Sequence, residues 1–325
     1  MDWYFIPWAF LAFVVLILTC IGKPPFWWAT AYCMGSSVLG LMVTDLQIHP
    51  TVSIQIKNAM AIGLMQLGTF MGLFLLWRKP VGAAMEWLFW VNLGLTIFCA
   101  LVPVGFHGLG FNLSLNGTLL AIQLSFAVRR TPWAALPALV AIGLTGSTMG
   151  ILAILVAGTL TILFMRTRYT GAVLALVGIV VLVLVERYGA RLTDLNGRMA
   201  IWELALRFME AKDSWIFGSG FGSWAYLGPK LQMDSGQTTN FFVHLHNDFL
   251  QLFFEVGLVG LSLWAIAFAH AFRKSLGRED WVSIFLIIAF LVSCVGNFPT
   301  RLPFTMVCLA GLFWRVYRAP TERTL

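Results

Sequence analysis

His246 stands at the start of a long apolar run, and Arg198 at the head of an amphipathic stretch. An imidazole titrates near pH ~6.5 and, when neutral, takes a proton from a hydroxyl. A guanidinium carries N–H donors in a fixed fork that fits phosphate or carboxylate oxygens in pairs. If Arg198 opens a helix, the amides of that helix end point at the same anion. Between the two lies Phe217-Gly-Ser-Gly-Phe-Gly222, in which Gly218, Gly220 and Gly222 permit tight turns and close approach of backbone amides to a ligand. Asn247 adjoins His246, while Asp248 and Glu255 recur at helical spacing, with Gln251 between them. A carboxyl two to three turns into an apolar span faces the protein interior or a wet cavity. Plainer explanations exist for each. Arg and Trp anchor interfacial helices to lipid phosphates, glycine runs make loop turns, and His246 and Glu255 could serve as interfacial and packing polar groups.

Composition decides what kind of element positions these residues. Hydrophobic residues make up 59% of the chain and charged residues 11%, against about a quarter charged in a soluble globular domain. Eleven apolar segments can be marked, approximately 4–21, 26–44, 59–77, 81–104, 114–128, 133–147, 150–165, 170–187, 246–272, 281–297 and 302–318. Runs of this kind, against a hydrocarbon core of about 30 Å, predict an all-α, polytopic membrane bundle of about eleven helices (ten to twelve). The expected organisation is a single membrane domain, 1–325, with one long extracytoplasmic loop at 188–245. The pair of runs around Gly146-Ser147-Thr148-Met149-Gly150 suits two short helices or one broken unit. Met-Asp-Trp-Tyr-Phe lacks a basic leader, so the first run is expected to be a retained span.

Charge sets the expected orientation. Alternate short connections carry thirteen basic residues on one side, among them Arg78, Lys79, Arg273, Lys274 and Arg315, and only Lys57 and Arg301 on the other. The positive-inside rule places the first set in the cytoplasm and the 188–245 loop outside. The net charge of +7 therefore reflects topology rather than a nucleic-acid-binding stripe. The five cysteines all lie in apolar runs without metal-ligand spacing, and no third ligand accompanies His244 and His246, so neither a disulfide framework nor a metal site is inferred. No nucleotide-binding loop occurs either. An enzyme with its site outside would need a substrate that arrives already activated. Within the loop, residues 198–212 predict an interfacial helix, with Trp202, Leu206 and Met209 on its apolar side and Glu203, Arg207 and Glu210 on another face.

The stretch His246-Asn-Asp-Phe-Leu-Gln-Leu-x-x-Glu255-x-Gly257-Leu-x-Gly260, preceded by Gly197-Arg198-x-x-x-Trp202 and the Gly-rich run, resembles the hallmark of the O-antigen ligase and polymerase superfamily. The resemblance covers about 140–265 closely. It implies a protein of the bacterial inner membrane whose site faces the periplasm. Such proteins transfer a glycan from an undecaprenyl-diphosphate carrier to a hydroxyl acceptor, a lipid A-core sugar or another carrier-linked glycan, without cofactor or metal. On that basis His246 is the expected base and Arg198 the expected diphosphate binder. Asn247, Glu255, Gly220 and Gly222 are expected to shape or line the substrate site. The membrane lipid is a further partner, and nucleic acid is not.

One position departs from the family pattern. Where that pattern has Ser-Arg after a Thr-Gly pair, this chain reads Thr145-Gly146-Ser147-Thr148, so Thr148 replaces a cation. Arg191, Arg187 and Lys230 are the candidate replacements. A carrier transporter would instead predict inverted repeats and paired broken helices, yet the His-Asn-x9-Gly motif occurs once. A catalytically silent scaffold is the third alternative.

Overall fold

The computed structural model describes residues 25–44, 81–101, 113–129, 131–164, 198–236, 242–301 and 303–318. Among these residues the regular structure is entirely helical: α1 (Pro25–Thr44), α2 (Val81–Leu101), α3 (Leu113–Val128), α4 (Ala135–Leu144), α5 (Thr148–Phe164), α6 (Arg198–Ala211), α7 (Trp224–Asp234), α8 (Asp248–Gly277), α9 (Trp281–Gly296) and α10 (Pro303–Arg318). Eight of the eleven apolar segments are thus helices, while 4–21, 59–77 and 170–187 lie outside the described residues. By length and composition α8 is long and apolar enough to cross a membrane, and most of the other apolar helices are shorter. Two compact units divide the chain, one formed by Met1–Thr69 with Gly197–His270, the other by Phe70–Asn196 with Ala271–Leu325.

In the second unit α3 is the central helix, packed by α2, α4, α5, α9 and α10. Its buried residues Leu120, Ala121 and Leu124 meet Ala138, Ala141, Ala153 and Ala157 of α4 and α5 in one apolar cluster. Small side chains let helix backbones come close, the arrangement that dispersion favours where no water drives association. α4 and α5 are two separate short helices joined at Thr145-Gly146-Ser147. Ser147 caps α5, its Oγ accepting from the Gly150 amide at 3.1 Å. The same hydroxyl lies 3.2 Å from Thr118 Oγ1, which in turn accepts from Asn297 Nδ2 at 2.8 Å. A chain of buried hydroxyls and amides thereby ties α3, α5 and the end of α9. Thr148, the position of the departure, is the half-buried first residue of α5.

The first unit contains α1, α6, α7 and α8 through His270. α1 lies close against α8: a side chain on Gly260 would come within 2.9 Å of the Tyr32 ring, and Trp264 Nε1 donates to Cys33 Sγ at 3.3 Å. Beside this pair, α6 and α7 enclose a cluster of Ile201, Ala205, Met209, Trp224, Leu245 and Phe254. The apolar side expected for α6 needs one correction. Met209 is buried, but Leu206 is 38% exposed, and Ile201 and Ala205 take its place in the core. Helical geometry puts 201, 205 and 209 within one stripe and leaves 206 beside the Glu203–Arg207 ion pair.

At the other end of the second unit, Asp280 caps α9 by accepting from the Ser283 amide at 3.4 Å, accepts from the Ser283 hydroxyl at 2.8 Å, and receives a bidentate pair from Arg315, both contacts at 2.8 Å. The two side chains are only 14% and 19% exposed, so the pair is largely shielded from water. Removing the carboxylate strands a mostly buried guanidinium and an uncapped helix. Asp280→Ala should therefore lower stability by about 2–4 kcal/mol, measurable as a lower melting midpoint of the detergent-solubilised protein. An unchanged midpoint would show that the pair contributes nothing.

Candidate functional site

The site forms where three stretches of the first unit converge: the start of α6, the turn 214–223, and the entry to α8. Arg198 is the first residue of α6 and is half-buried. Burial lowers the affinity of its guanidinium for its proton, so a desolvated cation there gains more from an incoming anion than an exposed one would. His246 lies just before α8 in a left-handed backbone conformation, φ 52°. For a residue with a Cβ this conformation is strained by roughly 1–3 kcal/mol and persists only where surrounding contacts impose it.

Those contacts can be named. Leu245, fully buried, is held on both sides of its residue: its carbonyl accepts from Trp202 Nε1 at 2.7 Å, and its amide donates to Gln251 Oε1 at 3.2 Å. Trp202 follows Arg198 by four residues and therefore shares its face of α6. One helical face thus supplies a cation and anchors the loop bearing the imidazole. Phe242 packs edge-on against His246, ring centroids 5.7 Å apart. Asn247 Oδ1 accepts from the Leu250 amide at 3.1 Å, so its side chain caps α8.

Deeper in α8 the helix breaks. Gly257 adopts φ 64°, ψ −168°, and the interruption exposes backbone groups that an apolar setting cannot leave unmet. The turn 215–220 meets them. Ser219 and Gly220 amides donate to the Phe254 and Glu255 carbonyls at 2.9 and 2.7 Å, while the Leu258 and Val259 amides donate to the Trp215 and Ile216 carbonyls at 2.9 and 3.2 Å. A Cβ on Gly257 would collide with the Ile216 carbonyl oxygen, and one on Gly218 with that of Glu255. The glycines at 218 and 257 thus let two backbones touch. Glu255, with no solvent exposure, accepts from the Gly222 amide at 2.8 Å and from Gln251 Nε2 at 3.1 Å.

His246 and Arg198 are close enough to interact. Burial first, and the positive charge of Arg198 second, push the imidazole pKa down from 6.5 to about 4. At neutral pH the ring is therefore uncharged and able to accept a proton. The Gly220 and Gly222 amides, offered to a ligand on sequence grounds, are donated to Glu255 instead. Lys230 is exposed on α7, and Arg191 and Arg187 lie outside the described residues. A cleft of about 420 Å³, lined in part by Ala200, Glu203, Leu204, Arg207 and Phe242, runs along α6. The contributions of Trp202 and Gln251 were invisible as roles in the sequence, although Arg198-x-x-x-Trp202 and Gln251-x-x-x-Glu255 carry the i, i+4 spacing that produces them.

Trp202→Phe keeps an aromatic ring but leaves the buried Leu245 carbonyl without that donor. The expected loss is about 1–3 kcal/mol, accompanied by faster amide hydrogen exchange across 242–246 than in the parent. Unchanged exchange there would mean that the indole does not hold the loop.

Residues 133–265 match a family model described as O-antigen ligase, consistent with the O-antigen ligase and polymerase superfamily. The matched segment takes in the Thr145–Thr148 turn and all the site residues described above. The family is one of integral proteins of the bacterial inner membrane with ligase- or polymerase-type glycosyl transfer. No curated protein matches the chain.

Proposed function

We propose, from the O-antigen ligase-type segment and the pairing of a neutral imidazole with a half-buried guanidinium, that this chain is a multi-pass inner-membrane glycosyltransferase facing the periplasm. Its donor is a glycan on undecaprenyl diphosphate, and its acceptor is a hydroxyl of a lipid A-core sugar. The observation that carries this is the juxtaposition of His246 and Arg198 at the entry to a broken, apolar α8. Membrane embedding is supported by apolar side chains left outward on this unit, Ile216, Phe217, Leu258 and Ile266 each being more than half exposed. The basic residues of the short connections support the periplasmic placement of the loop.

In this reaction His246 removes the proton of the acceptor hydroxyl as its oxygen bonds to the anomeric carbon. The bond from that carbon to the diphosphate oxygen breaks on the opposite face, so the centre inverts. The departing electron pair stays on the diphosphate, whose charge Arg198 neutralises by paired N–H donors. Depression of the His246 pKa has a consequence for order. The donor's negative charge offsets Arg198, which removes one cause of the depression, so the base strengthens once the donor is in place. Asn247 holds the start of α8 by its cap, and Glu255 acts through Gln251. Arg191 and Lys230 are the proposed sources of a second cation in place of the one missing at Thr148.

His246→Ala and Arg198→Ala should each abolish transfer in a complementation assay at normal protein level, while Arg198→Lys should restore little, because a point charge does not reproduce the fork. Full activity in both alanine variants would sink the enzyme assignment. Loss of core-attached polysaccharide with long carrier-linked chains retained marks a ligase, whereas single repeats on the core mark a polymerase.

The pH dependence supplies an independent check. A base whose pKa lies near 4 in the free protein loses function only as pH falls through that value. The acid limb of kcat/KM for the donor should therefore lie near pH 4, and the limb of kcat, read in the donor complex, should lie higher. A kcat/KM limb at the ordinary imidazole value of about 6.5 would contradict the shielded, Arg198-facing position.

A further inference from the structure

We propose, resting on the assignment of His246 as the base, that Gln251 is a positioning residue that fixes the catalytic imidazole by transmitting the geometry of Glu255 and the Gly-rich turn to the loop bearing it. The observations form an unbroken series. The Gly222 amide donates to Glu255 Oε2 at 2.8 Å, Gln251 Nε2 donates to Glu255 Oε1 at 3.1 Å, the Leu245 amide donates to Gln251 Oε1 at 3.2 Å, and Trp202 Nε1 donates to the Leu245 carbonyl at 2.7 Å. Gln251 and Glu255 are 1% and 0% exposed, so water does not compete for these bonds. A primary amide is the group that fits the middle of the series, because it must accept on one side and donate on the other. A carboxylate there would meet Glu255 as a like charge, and an apolar residue would take one bond each from the Leu245 amide and the Glu255 carboxylate. The series ends one peptide before His246, whose left-handed backbone requires external restraint. The glycine run and the His-Asn-x-x-x-Gln-x-x-x-Glu stretch therefore operate as one device: the turn that fills the break at Gly257 also aims the imidazole.

The order of amide and carboxylate can be exchanged, which supplies the test. In Gln251→Glu two carboxylates face each other, and in Glu255→Gln one charged acceptor is lost. The double exchange Q251E/E255Q restores a complete series with the two groups transposed. The carboxylate at 251 then accepts from both the Leu245 amide and the side-chain amide at 255, whose own oxygen accepts from Gly222. Full-length protein, assayed in nanodiscs with a polyprenyl-diphosphate-linked glycan and a hydroxyl acceptor, should show kcat reduced about ten- to a hundredfold in each single variant with donor KM little changed. The double exchange should recover most of the loss. In the single variants the acid limb of kcat/KM should also move up from near 4 toward the ordinary imidazole value, because a released ring reaches water. A role confined to stability would lower the melting midpoint without moving that limb.

Single variants with parental kcat and pH profile, or a double exchange no more active than the singles at parental melting temperature, would overturn the proposal. Should the charge-changing variants fail to fold, Trp202→Phe interrupts the same series at its far end without altering charge. It should lower kcat and shift the acid limb in the same direction, and a parental kcat and limb would again overturn the proposal. His246→Ala, assayed in parallel, separates the two levels. An active H246A removes the base assignment itself, whereas an inactive H246A beside parental Gln251 and Trp202 variants removes only the positioning role.

Discussion

A carboxyl group enclosed in an apolar helix must have its oxygens met, and in this protein that requirement organises the site. Glu255 lies fully buried in α8, one turn past Gln251 and two residues before the break at Gly257. In a medium of low polarity each unmet polar group costs several kcal/mol, so both the carboxylate and the interrupted backbone need partners. The turn 215–220 and Gly222 provide them at once. Without that turn the break would be untenable. Without the break, α8 would present no free carbonyls for the turn to bind.

From this arrangement the geometry of the entry to α8 follows. The chain before Asp248 is held by Gln251 on one side and by Trp202 on another, and His246 is the residue left between these restraints and the helix cap at Asn247. Its strained backbone is therefore a local cost carried by several buried hydrogen bonds, each worth about 1 kcal/mol net but far more if unmade. Arg198 acts at longer range. It shares a helical face with Trp202, so the residue that aims the loop and the cation that tunes the imidazole move together.

The second unit solves a different problem. Its helices are mostly short and strongly apolar, and they pack through alanine-rich faces and a few buried amides and hydroxyls around α3. There Thr148 stands at the first position of α5, one residue after the capping Ser147. The Ser147 hydroxyl meets the Gly150 amide of that first turn.

The sequence by itself determined a good deal. Composition demanded apolar helices, and apolar runs marked eight of the described helices to within a few residues. The helix α6 followed from its amphipathic spacing, α7 fell unforeseen inside the stretch read as a loop, and charge counting supplied an expected orientation. Residue type and spacing marked His246, Arg198 and Glu255 as candidates, and the resemblance supplied the roles expected of them. What it could not determine was direction. The glycine amides at 220 and 222 looked available to a ligand, yet they point to Glu255. Leu206 looked like a core residue, yet it faces outward, and Trp202 looked like an interfacial anchor, yet it clamps Leu245. Periodicity reports which residues share a face of one helix, whereas a hydrogen bond needs a donor and an acceptor from distant stretches to meet at about 3 Å. Only the tertiary structure brings 202 to 245 and 222 to 255, because only there does the burial of one carboxylate force the separate motifs of the loop and the span to satisfy each other.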